Sequence, residues 1–154
     1  FELADRVTAR VAGRFALAAP ETPLAAAGSG SAVARRLYDA GLHAFYRNDA
    51  PGAAQLFAAA LREDPTFAMA AYYASLTREP DAPDSARALL AWAVRLAEGA
   101  TERERLIIRL RWLLGEQAAR AAVTESLVAR YPNEPDGHLG LGTLRLTAGD
   151  FLGA

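Results

Sequence analysis

The sequence predicts an all-α fold of antiparallel helix pairs, and three observations carry that prediction. Residues 34–67 read as two apolar-striped segments joined by the break Asn48-Asp49-Ala50-Pro51-Gly52, which is one helix-turn-helix unit. The small-large-small spacing of Ala53, Phe57 and Ala60 returns further along as Ala86, Leu90 and Ala93, all three displaced by the same interval. Leu3, Val7, Val11 and Phe15 recur at every fourth position, which is the stripe of an amphipathic helix.

Taken in order, that opening helix comes first, with Arg6, Arg10 and Arg14 lining another of its faces. Those arginines are read either as a basic docking strip or as a solvated helix face. Pro20, Pro23 and the run Gly28-Ser29-Gly30-Ser31 then break any helix, so residues 1–31 are expected to be a helix plus linker and residues 32–154 the repeat region. In the first unit Pro51 suits the first turn of the second helix, because its missing N–H has no partner to lose there. Asp84 or Ser85 is expected to cap the helix that runs to about Ala97. The stretch Glu79-Pro80-Asp81-Ala82-Pro83-Asp84 before it reads as a stiff acidic turn. Thr101-Glu102-Arg103-Glu104 has the spacing of a capping box and starts the next helix.

The repeat holds further along the chain. Ile108 to Gly142 and Ala93 to Leu127 each span one period of about 34 residues, and Pro132 closes the third unit as Pro65 closes the first. Units are therefore placed at about 34–67, 68–100, 101–134 and 135–154, the last incomplete. In the third, Ile107-Ile108 and Arg120 stand where small residues belong, so a looser or rotated hairpin is expected there.

The first unit resembles a tetratricopeptide (TPR) repeat. Ala40-Gly41 stand where that family has Leu-Gly, Ala53-x-x-x-Phe57 matches its Ala-x-x-x-Phe, Ala60 is its next small residue and Pro65 its terminal proline. Leu37 and Ala44 replace the family's Trp and Tyr. In the fourth unit Leu141-Gly142 recovers the Leu-Gly pair, and Gly149-Asp150-Phe151 is similar to the Gly-Asp-Tyr turn between the family's helices. The resemblance implies a right-handed α-solenoid whose first helices line a concave binding face. Carried over, the family's groove positions are Arg35, Tyr38, Leu42 and Phe45, then Met69, Tyr72 and Leu76, then Glu102, Arg105, Arg109 and Trp112. Arg105, Arg109 and Trp112 are the favoured contacts, since an arginine pair at i, i+4 beside an indole can hold a carboxylate. Several of the aromatics are equally accounted for as packing between hairpins. Tyr38 and Leu42 stand where chaperone-binding members carry their carboxylate clamp, so that clamp is not expected.

Composition bounds the rest. A chain of 154 residues with 52% apolar residues and net charge −1 argues against a general nucleic-acid or anionic-membrane surface, and no apolar run is long enough to span a bilayer. Zero cysteine and only His43 and His138 leave no thiol chemistry and make a zinc site unexpected; no cofactor is expected. No phosphate loop or spaced catalytic set stands out. The absent initiator Met and the mid-repeat end at Ala154 lead to the expectation of a piece of a longer, cytoplasmic protein, able to self-associate through its unfinished end. The expected function is a non-catalytic interaction module for a peptide, a partner domain or a second copy. The alternative is a small-molecule sensor or enzyme fragment with a pocket near Tyr72, Tyr73 and Trp112. Leu37-Tyr38-x-x-Gly41-Leu42 and Ala60-Leu61-x-x-Asp64-Pro65-x-Phe67-Ala68, after helix and linker, also resemble the region following the output domain of some bacterial signalling proteins: TPR-bearing kinases, nucleotide cyclases and winged-helix regulators.

Overall fold

The computed structural model describes residues 29–149, and the chain divides into two compact units, Phe1–Thr101 and Glu102–Ala154. The expected amino-terminal helix with its three arginines, most of the linker, and Asp150-Phe151 lie outside the described residues. Among the described residues there are seven α-helices and no strand, so the all-α expectation is met. The first unit holds α1 (Ala32–Tyr46), α2 (Ala50–Glu63), α3 (Ala68–Arg78) and α4 (Pro83–Leu96), followed by a 3-10 turn at Ala97–Gly99. The second holds α5 (Glu102–Trp112), α6 (Gln117–Arg130) and α7 (Pro135–Thr147).

Helix ends have local causes. Ser31 caps α1 by accepting from the Ala34 N–H at 3.2 Å, and the Asp49 carboxylate caps α2 by accepting from the Gly52 N–H at 3.0 Å. Pro51 lies in the first turn of α2 as expected. The start of α4 differs from the sequence expectation: its cap is Ala82 and its first residue Pro83, with Asp84 already in the first turn. Proline wins that position because its fixed φ and absent N–H suit a first helical residue without any side-chain cap. The turns repeat as well. Asn48 (φ 61°) and Gly115 (φ 103°) each take the left-handed conformation just before an acidic cap, Asp49 or Glu116. Gly149 (φ 80°) takes it again, one repeat beyond Gly115. The α3–α4 turn, with Pro80 and Pro83, has no such residue.

In the first unit α1 packs on α2, α2 on α3 and α3 on α4. The Ser29 hydroxyl, just before α1, donates to the Asp64 carboxylate at the end of α2, so these two helices run antiparallel. Their contact is built on Gly41: a Cβ there would sit 2.6 Å from the Phe57 ring, while Ala53, Phe57 and Ala60 are wholly buried. Helix α3 is buried almost all round, from Ala68 through Thr77, which fits its alanine-rich, nearly uncharged sequence.

In the second unit α5 packs on α6, and α7 packs on both α6 and α5. Glu102 at the start of α5 pairs with Arg130 at the end of α6, which makes that pair antiparallel. The α5–α6 contact is less extensive than that of α1 and α2. Ile108, in the first helix of its hairpin as Gly41 is in its own, is buried, and the Arg120 Nε is buried without a hydrogen-bond partner. Bulky residues at positions of close approach hold the two helices apart. Helix α7 sits closely on α6 through Gly137 and Gly140; a Cβ on Gly140 would meet the buried Thr124 hydroxyl at 3.0 Å. Its other side is bare: Leu139 and Leu146 are 71% and 52% exposed, and a Cβ on Gly142 would meet nothing within 4 Å.

Candidate functional site: an arginine–tryptophan stripe

Helix α5 divides its residues by period. Ile107, Ile108 and Leu110 go to the core, while Arg105, Arg109 and Trp112, at i, i+4 and i+7, share the opposite face and are exposed. Trp112 keeps 44% of its surface open. Neither the Arg105 nor the Arg109 side chain has an ion pair or hydrogen bond among the described residues, in contrast to Arg103 and Arg130. Each unpaired guanidinium presents five N–H donors in a planar fork suited to a carboxylate. The third-unit position Glu102 is used differently: Arg130 and the Tyr131 hydroxyl, the latter at 3.4 Å, hold it against the end of α6.

The first-unit positions are divided between core and surface. Tyr38, Met69 and Tyr72 are 8%, 5% and 6% exposed and form part of the core; Arg35, Leu42, Phe45 and Leu76 are half-buried. Tyr38 packs on Phe67 at a ring distance of 4.8 Å, and Phe45 meets Tyr73 edge-on at 5.5 Å. Tyr73 is the centre of this cluster, stacked on Phe57 at 5.5 Å with its hydroxyl 3.2 Å from that of Tyr46. Burial and the Tyr46 hydrogen bond push the Tyr73 phenol above its ordinary pKa, so it stays protonated. The ring positions follow from sequence spacing; that they fill a core does not, because spacing alone does not say which element covers a face.

A cluster missed by the sequence reading lies where α7 begins. Glu134, 5% exposed, pairs with Arg103 of α5, and Asp136 shares a hydrogen bond with Glu134. The signal was present as two acids flanking a proline, Glu134-Pro135-Asp136. Burial, then the neighbouring Glu134 charge and that hydrogen bond, raise the Asp136 carboxyl above its ordinary pKa, with Arg103 opposing. The folded state therefore holds this proton more tightly than the unfolded chain. Its contribution is complete below the unfolded carboxyl value, about 4, and is lost as pH rises through the higher folded value. Asp136→Asn should accordingly gain stability relative to the parent chain as pH goes from about 4 to neutrality. Urea unfolding at several pH values reads this directly, and a constant difference would contradict it.

Among the described residues no group of three His, Cys, Asp or Glu side chains could hold a metal ion, and no helix is long and apolar enough to cross a membrane. Comparison with protein-family models, curated proteins and solved structures finds no match to this chain.

Proposed function

We propose that this chain is a non-catalytic protein-interaction module, a TPR-like right-handed α-solenoid that binds a peptide or partner domain through the Arg105–Arg109–Trp112 stripe. The observation that carries the reading is the stripe itself: two guanidiniums without a partner among the described residues, beside an indole left open on the same helical face. Arginine and tryptophan lead the residue types that dominate binding energy at interfaces, because each adds a large planar surface to directed hydrogen bonding. The repeat period and the small-residue contact at Gly41 support the solenoid. The resemblance of the first unit to regions beside bacterial output domains supports a regulatory, cytoplasmic setting. The bare Leu139–Leu146 side of α7 supports self-association as a further mode of contact.

The test is capture from a bacterial lysate with the parent chain and with the double variant Arg109→Ala, Trp112→Ala, read by mass spectrometry. Both side chains are exposed, so the variant should keep its helical circular dichroism. Removal of two hot-spot residues should weaken a captured partner by at least about 30-fold, on the order of 2 kcal/mol or more. Equal capture by the two proteins would overturn the assignment of the stripe.

A further inference from the structure

A second cationic surface lies in the first unit. Pro51, Ala54, Gln55, Ala58 and Arg62 follow one another at helical spacing along a face of α2 other than its buried Ala53–Phe57–Ala60 face. With Arg78 from the last turn of α3 they line an open cleft of about 450 Å³. Neither the Arg62 nor the Arg78 side chain has an ion pair or hydrogen bond among the described residues, and no acidic side chain lines the cleft. Short residues keep its floor low.

The arrangement of the charges selects the occupant. Residues 64–67 alone join α2 to α3, and the two helices pack on each other, so α3 ends near the start of α2. Arg78 therefore stands at the Pro51 end of the cleft and Arg62 at the other, on the order of 15 Å away by the helical rise. Two carboxylates four to five residues apart on an extended chain, at about 3.3 Å per residue, match that backbone separation. Gln55 lies between the arginines and offers both amide donors and a carbonyl acceptor. Those groups suit a backbone whose N–H and C=O are free, as in an extended segment and not in a helix.

We propose that the α2 cleft binds an extended acidic peptide segment, with one carboxylate on Arg62, a second on Arg78, and small apolar residues between them over Ala54 and Ala58. This site shares no residue with the α5 stripe, and its failure would leave that reading standing. Fluorescence anisotropy of the full chain with a labelled decapeptide tests it. The peptide carries two glutamates five residues apart in an alanine and proline background, and its counterpart carries glutamines. The acidic peptide should bind, more weakly as salt rises, and Arg62→Glu and Arg78→Glu should each weaken it by about tenfold or more. The milder Arg62→Gln and Arg78→Gln should move affinity the same way, and Arg36→Gln, at an exposed arginine of α1 outside both surfaces, should leave it unchanged. Equal binding of the glutamine peptide, affinity indifferent to both charge reversals, or no binding of the acidic peptide would each overturn the proposal. So would sedimentation showing that Arg62→Glu abolishes a dimer of the chain alone, since a second copy would then be the occupant.

Discussion

Phe57→Ala is expected to destabilise the first unit by about 3–5 kcal/mol, the range for truncating a wholly buried phenylalanine. Three causes converge on this position. The ring is fully buried, it stacks on Tyr73 at 5.5 Å, and it fills the space left beside Gly41. The glycine makes the prediction sharper. A methyl added at Gly41 would lie 2.6 and 2.8 Å from two carbons of a wholly buried ring. Gly41→Ala alone should therefore lose up to about 2 kcal/mol, an overpacking cost of about 1–3 partly offset by alanine's helix propensity of about 1. Placed together with Phe57→Leu, the same methyl occupies vacated space, so the double variant should be more stable than the two single losses predict. Chemical denaturation of all four proteins gives the coupling energy, and strict additivity would show that the glycine and the ring are not in contact.

Leu127→Ala should cost the second unit about 2–5 kcal/mol. Leu127 is wholly buried on α6, and its Cγ would lie 3.4 Å from a Cβ on Gly137 of α7. One turn later its carbonyl accepts the Tyr131 N–H at 2.8 Å, where α6 gives way to the turn. Truncation thus removes the side chain on which α7 is seated, while the surrounding backbone bonds resist collapse into the void. Loss of protection at amide groups of α7 in hydrogen exchange should be the earliest sign. A variant that keeps both parental stability and α7 protection would show that α7 is held by other contacts, such as Arg103 with Glu134.

Much of the fold was legible because helical hairpins advertise themselves locally. The turn at Asn48-Asp49, Pro51 in the first turn of α2, and the Gly41–Phe57 contact follow from residue types that each have few other uses. The start of α4 was misplaced by the same local logic, since Asp84, Ser85 and Pro83 all suit a helix start and only one can occupy the first position. The exposed face of α5 was legible from its i, i+4, i+7 pattern, because two arginines and a tryptophan share it against an isoleucine-leucine face. Arg62 and Arg78 were not, for they lie on different helices and meet only when α3 turns back along α2.

The sequence by itself determined the helical class, the repeat period of about 34 residues and the small-residue seam of the first hairpin, since each depends on spacing within one or two neighbouring helices. Only the tertiary structure decided that Tyr38, Met69 and Tyr72 are enclosed while Arg105, Arg109 and Trp112 stay open. Periodicity tells which residues share a face. What covers that face is set by the packing of elements distant in sequence, and burial by those elements separates a core aromatic from one free to meet a partner.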